Sequence, residues 1–176
     1  MESNPLNPIL ETYEVSIECF KMAKKAVLER QQALIADDYK WLNQPNAQQN
    51  IAKTATEVSD LFVFSLWAAF ERFIITYLQT KAIGLQKTVV PMTLANPLSE
   101  YVQKEMEYWT PKDILDLLKN VQSIDKNAIG KAKQILEYRN WIAHGKDMKK
   151  TSSVKAMTPI YTYQTLNEIV NILLLN

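Results

Sequence analysis

The spacing of apolar and polar residues predicts helices along the whole chain. In residues 9–43, apolar side chains recur every three or four positions, and the pattern stops at Pro45, so we expect one long helix. The apolar positions of this helix are Tyr13, Ile17, Phe20, Ala23 and Val27. Cys19 lies on the same apolar face, and we expect it in the core.

A second long helix is predicted for residues 47–83, ending at Gly84. Its first half is polar, whereas residues 61–70 are apolar on nearly every side. Such a helix is buried by partner helices, and a second subunit could cover the rest. The apolar segment 61–75 is too short to span a membrane and is interrupted by Glu71 and Arg72, so we expect no membrane span.

The remaining pattern predicts shorter helices. Residues 85–97 contain Pro91 and Pro97 and are predicted to be a connection, followed by a helix over 98–109. Thr110 is a predicted N-cap, with Pro111 at the first helical position. The buried face of that helix is expected to be Ile114, Leu117, Leu118 and Val121. A further helix begins at residue 125 or 126 and ends at 144–145. After a polar loop over 146–158, the last helix runs from residue 159 or 163 to 175.

The composition fits this pattern. With 47% apolar residues and only 3 Gly, the chain is expected to form one all-α domain, residues 1–176, without disulfides. The single cysteine and the absence of a signal-peptide pattern in residues 1–8 indicate a cytoplasmic protein. One histidine and scattered carboxylates do not form a metal-ligand pattern, so we expect no metal and no cofactor.

Candidate chemistry lies at the end of the predicted helix that closes at residues 144–145. Arg139 and Asn140 fall on its expected apolar stripe, and the chain's only histidine, His144, follows four residues after Asn140. Polar residues on a buried stripe often mark functional sites. An Arg and a His can bind phosphate and transfer protons without a metal. The expected stripe is Ile129, Ala132, Leu136 and Ala143. The residues alone leave a structural role open, with His144 closing its helix and Arg139 in a core salt bridge.

The surrounding sequence resembles a known family. Residues 138–145, Tyr-Arg-Asn-Trp-Ile-Ala-His-Gly, resemble the motif of HEPN domains, which are all-helical and carry Arg, a polar residue, a short gap and His near the end of a late helix. Residues 65–73 resemble the family's buried second helix, with Glu71 as its acidic residue facing the site. The resemblance implies a HEPN-like helical bundle with two long antiparallel helices.

The resemblance also implies a metal-independent endoribonuclease. Two motif helices would meet at the two-fold axis of a homodimer, and the RNA 2′-hydroxyl would attack the phosphate to give a 2′,3′-cyclic product. His144 would be the general acid or base, and Arg139 would bind the scissile phosphate. Asn140 would orient the phosphate or the His, and Glu71 would hold Arg139 or the His tautomer. An ion pair of Glu71 with Arg72 or a lysine is equally open.

The resemblance further implies a biological setting, namely the toxin of a toxin–antitoxin or phage-defence system, with an RNA substrate and a cognate antitoxin as partners. Some HEPN toxins carry a Tyr two residues after the His, which a nucleotidyltransferase antitoxin modifies. This chain departs from that pattern, because Lys146 occupies the position. The alternative function is a non-catalytic HEPN-like module that binds protein or RNA.

Local charge adds a separate indication of RNA binding. Although the net charge of the chain is only +1, residues 126–155 carry eight Lys or Arg and two acidic residues. Lys146, Lys149 and Lys150 are therefore predicted to contact an RNA backbone. The alternative is an ordinary solvated loop rich in lysine. Trp141 could stack on a base, but a place in the core or in a dimer interface is favoured.

Overall fold

The computed structural model describes residues 3–29, 44–147 and 156–175. Within these ranges the regular structure is helical and contains no strand, so the prediction of an all-α fold is confirmed. A 3₁₀ turn, Gly84–Lys87, joins the second and third helices. The α-helices are α1 (Asn7–Glu29), α2 (Ala47–Ile83), α3 (Met92–Met106), α4 (Pro111–Leu118), α5 (Lys126–Ala143) and α6 (Pro159–Leu174).

Helix α2 is the centre of the fold. It packs against α1, α3, α5 and α6, and its bounds agree with the predicted ones. Its most buried stripe repeats every three or four residues, as expected for one face of a helix. This stripe contains Asp60, Val63, Trp67, Phe70 and Ile74. Residues of α4, α5 and α6 close the same core, which fixes α5 beside α2.

Helix α1 packs along α2, and only a narrow face of α1 is buried. The ring of Tyr13 meets that of Phe62 edge-on, with centroids 5.2 Å apart, and Ala26 is buried. The predicted end of this helix at residue 43 lies outside the described residues. The prediction that Cys19 is a core residue was wrong, because Cys19 is exposed on the solvent side of α1 together with Val15 and Met22.

The start of α3 was also predicted wrongly. The helix begins at Met92, so Pro97 lies inside it rather than in a connection. Pro97 removes one helical hydrogen bond. Packing offsets this loss, because Ala95 and Ser99 are fully buried, and the Ser99 hydroxyl donates to the carbonyl of Ala82 at the end of α2.

Helix α4 begins as predicted. Thr110 accepts from the backbone N–H of Asp113, and the Asp113 carboxylate accepts from the N–H of Thr110 in return, which makes a capping box. Its buried face is Ile114, Leu115 and Leu118. Two residues of the predicted face do not belong to it, since Leu117 is exposed and Val121 lies half-buried beyond the end of the helix. Helices α5 and α6 lie within one residue of their predicted limits.

One stretch of the described residues, Ala47–Lys87, is long and apolar enough to cross a membrane by length and composition. The expectation from residues 61–75 alone was that the segment is too short. The core helix of a soluble protein, which is mostly buried, satisfies the same criteria. In this stretch, a third of the most apolar window is buried inside the protein.

Candidate functional site

The site is built on the last turns of α5. Asp125 caps the start of this helix by accepting from the N–H of Asn127. Its buried face differs from the predicted stripe, since Leu136 is half-buried and Ala143 is exposed. The residues that are buried are Ala128, Ile129, Ala132, Ile135 and Tyr138. Tyr138 is thus the last fully buried residue of α5. Trp141 and Ile142 still pack against the core but are half-buried, so the motif lies at the edge of the core.

Arg139 and Asn140 occupy that edge. Both are half-buried, and the Arg139 Nη1 donates to the Asn140 side-chain oxygen at 3.0 Å. The guanidinium lies over the ring of Phe64 in α2, with 4.7 Å between its carbon and the ring centroid. This cation–π contact holds the charge in a fixed place. Arg139 was expected to lie inside the buried stripe of α5, but it lies at the border of that stripe.

One polar atom of Arg139 has no hydrogen-bond partner among the described residues. Its Nε is buried, and no described residue accepts a hydrogen bond from it. A buried donor without an acceptor costs about 1–3 kcal/mol, and native proteins rarely leave one unless a ligand or a functional role explains it. With one of five N–H donors committed to Asn140, the guanidinium keeps donors for an anion.

His144 ends α5 and is exposed. Its backbone N–H donates to the carbonyl of Asn140 at 3.0 Å. No described residue makes a hydrogen bond with its imidazole, and no described contact connects the imidazole to Arg139. The imidazole is thus open to a ligand, within a turn and a half of the guanidinium along the helix.

The chain turns sharply after His144. The N–H of Gly145 donates to Ile142 and the N–H of Lys146 donates to Trp141, the paired bonds of a Schellman motif. Both residues after the helix have left-handed backbones, with φ of 76° at Gly145 and 60° at Lys146. Glycine adopts this conformation freely, whereas a lysine there is strained and is held by its surroundings.

Lys146 is held by a buried carboxylate. Its ammonium lies 2.6 Å from Asp60 Oδ2, and Asp60 is only 5% exposed. The other oxygen, Oδ1, accepts from the Tyr138 hydroxyl at 2.6 Å. Burial of Tyr138, with its hydrogen bond to Asp60 and the negative charge there, raises the pKa of Tyr138 well above its ordinary value of 10.0. A single carboxylate of α2 thus binds residues on both sides of the Arg139–His144 motif.

The acidic residue expected at the site, Glu71, has a different partner. Its Oε2 accepts from the indole N–H of Trp67 on the same helix at 2.9 Å. No described contact joins Glu71 to Arg139 or His144. The acidic residue of α2 that reaches the motif helix is Asp60, eleven positions earlier.

The sequence did not single out Asp60, Phe64 or Tyr138 as residues of the site. A signal for Asp60 was present, because it continues the apolar spacing of Val63 and Phe70, and a charged residue on such a stripe requires a partner. Phe64 carried no signal of its own, since it is one of several aromatic residues in an apolar run. Its role depends on which helix lies beside it.

Of the three lysines predicted to bind RNA, the structure describes only Lys146. Lys146 points to Asp60 and is about one-third exposed, so it is engaged in an ion pair. Lys149 and Lys150 lie outside the described residues. Trp141 is half-buried, stacks on Tyr138 and donates its indole N–H to the carbonyl of Asp147 at 3.0 Å. These contacts favour the structural role that was expected for Trp141.

The described part of the chain contains no group of three or more His, Cys, Asp or Glu placed to hold a metal ion. Cys19 lies exposed on α1. No described contact brings it to His144.

Comparison with protein-family models, with curated proteins and with solved structures finds no significant match to this chain.

Proposed function

We propose that the protein is a metal-independent endoribonuclease of HEPN type. The observation that carries the proposal is the end of α5, where an exposed imidazole follows a half-buried guanidinium that has an unused donor. These are the two groups needed for the reaction in which the 2′-hydroxyl of RNA attacks the neighbouring phosphate and cleaves the strand. Arg139 would bind the phosphate and His144 would transfer the proton, with Asn140 holding the guanidinium in place.

The reaction follows from these groups. An imidazole takes the proton of the 2′-hydroxyl, the 2′-oxygen forms a bond to phosphorus, and the bond from phosphorus to the 5′-oxygen breaks. The 5′-oxygen leaves with a proton donated by an imidazolium. The products are a 2′,3′-cyclic phosphate and a 5′-hydroxyl, and DNA is spared because it lacks the nucleophile.

We propose that the active form is a homodimer. The reaction uses one base and one acid, and each chain has a single histidine, so two chains supply the pair. One side chain of α2 fits this arrangement. Leu61 is 61% exposed and precedes by one turn the half-buried Phe64, on which Arg139 rests. A single exposed apolar residue is ordinary on a protein surface, so the proposal rests on the two histidines that the reaction needs.

As a cytoplasmic ribonuclease, the protein would act as the toxin of a toxin–antitoxin or phage-defence system, with an antitoxin as partner. The test is induced expression of the wild type beside His144→Ala in the same host. Growth arrest with RNA decay in the wild type alone supports the proposal. Equal growth of both strains without RNA decay counts against it.

The second candidate is a non-catalytic module that binds protein or RNA. It is favoured by the positions of two residues expected at the site, because Glu71 bonds to Trp67 and Lys146 to Asp60. Under this alternative, Arg139 and His144 would contribute to affinity, and RNA would be bound without being cut.

A further inference from the structure

The turn that carries His144 is fixed by contacts on several sides. We call residues 144–147 the motif turn. Its backbone is closed by the paired Schellman hydrogen bonds onto Trp141 and Ile142. Its side chains add two contacts, namely Lys146 with Asp60 at 2.6 Å and the Trp141 indole with the carbonyl of Asp147 at 3.0 Å.

Asp60 is the group that connects this turn to the core. It lies on the buried stripe of α2, with one oxygen on Tyr138 and the other on Lys146. Tyr138 directly precedes Arg139, and Lys146 follows His144 by two residues. One carboxylate therefore fixes the two ends of the motif relative to the rigid centre of the fold.

The imidazole has no such anchor of its own among the residues that the structure describes. His144 is exposed, and no described side chain holds its ring, so its position depends on the backbone of the motif turn. Lys146 has φ of 60° without the freedom of glycine, a conformation that persists only when the surroundings impose it. The ion pair with Asp60 supplies that constraint.

We infer that Asp60 and Lys146 are positioning residues, which act through the motif turn to place His144 beside the phosphate bound by Arg139. The inference rests on the proposed function. A displacement of about 1 Å at a reacting group can lower a rate by about 10²-fold. Loss of the pair is therefore expected to lower kcat on the order of 10- to 100-fold and to leave KM nearly unchanged.

The variants separate positioning from charge. Lys146→Met removes the ammonium but keeps the length of the side chain, and Lys146→Arg keeps the charge and should restore most of the activity. Asp60→Asn retains an oxygen for Tyr138 and removes the attraction for Lys146, which limits the risk of unfolding. The control is Lys53→Met, because this exposed lysine of α2 pairs with Glu57 instead.

The readout that does not depend on catalysis is amide hydrogen exchange, measured by NMR on untagged protein. In Lys146→Met and Asp60→Asn, exchange at Gly145 and Lys146 or its replacement should rise about 10-fold or more, with the α2 amides unchanged. The resonances of His144, the only histidine, should shift towards those of a free peptide. Lys146→Arg and Lys53→Met should resemble the wild type.

The outcomes distinguish this inference from the proposed function. Unchanged exchange at the motif turn in both Lys146→Met and Asp60→Asn overturns the inference, whether or not the protein cuts RNA. Faster exchange with an unchanged kcat in an active enzyme also overturns it. If the wild type cuts no RNA, the proposed function fails, and the exchange data still show whether the ion pair holds the turn.

Discussion

The hydrogen bond between Tyr138 and Asp60 gives a direct test of the structure around the site. Its donor and acceptor are 6% and 5% exposed, and the oxygens lie 2.6 Å apart. Tyr138→Phe removes the hydroxyl and keeps the ring, which stacks on Trp141 with centroids 5.6 Å apart. The change therefore isolates the hydrogen bond from the packing.

The expected loss follows from the chemistry of this pair. A hydrogen bond to a charged group contributes about 1.5–3 kcal/mol to stability. The lower part of this range applies here, because Asp60 keeps its ion pair with Lys146 in the variant. We expect a loss of about 2 kcal/mol in the free energy of unfolding. For a domain of this size, that loss corresponds to a fall in Tm of about 4–8 °C.

The assay is urea unfolding followed by circular dichroism at neutral pH, with Tyr163→Phe as the matched control. The Tyr163 hydroxyl donates to Asn7 at an exposed site, so its removal should cost less than about 1 kcal/mol. If Tyr138→Phe is no more destabilising than Tyr163→Phe, Asp60 is not the buried acceptor described here. A change in the slope of the unfolding curve would indicate an altered denatured state instead.

The other predictions concern pH, capping and assembly. Because the folded state raises the pKa of Tyr138, the contribution of this tyrosine to stability is complete below pH 10 and is lost as the pH rises further. The difference in unfolding free energy between wild type and Tyr138→Phe should therefore shrink by up to about 1.4 kcal/mol per pH unit above pH 10. A difference that stays constant with pH would contradict this prediction. Thr110→Ala should cost about 1 kcal/mol in urea unfolding by removing the capping box of α4, and a loss near zero would show that the box is dispensable. Light scattering at micromolar concentration should report a dimer for the wild type and a monomer for Leu61→Asp, and a monomeric wild type would refute the assembly.

The sequence predicted the elements whose ends carry local signals. Helix α4 begins at Thr110 with its own capping partner, so short-range chemistry was sufficient to predict its start. The predicted limits of α2 also agree with the structure, but Gly84 has a right-handed backbone with φ of −60° and continues into the 3₁₀ turn, so it does not end the helix by the left-handed conformation that favours glycine. The position of Pro97 was predicted wrongly because packing overrides its local signal. A proline is a local signal against a helix, and only the burial of Ser99 against the end of α2 explains why α3 begins before it.

The sequence predicted where the candidate residues lie along the chain better than it predicted their contacts. The motif placed Arg139, Asn140 and His144 at the end of one helix, which the structure confirms. The acidic partner could not be assigned in the same way, because Asp60 and Glu71 lie on one helix and only the packing of α5 decides which carboxylate it meets.

The decisive experiment for the proposed ribonuclease activity is cleavage of RNA by purified, untagged protein in EDTA. The substrates are an end-labelled RNA pool and DNA of matched length, with His144→Ala and Arg139→Ala beside the wild type. We expect cleavage of RNA alone, with 2′,3′-cyclic phosphate and 5′-hydroxyl ends. His144→Ala should be slower by about 10²–10⁴-fold and Arg139→Ala by about 10²–10³-fold. Equal cleavage by the variants, or a requirement for added metal, would contradict the mechanism, and binding of RNA without any cleavage would favour the non-catalytic module.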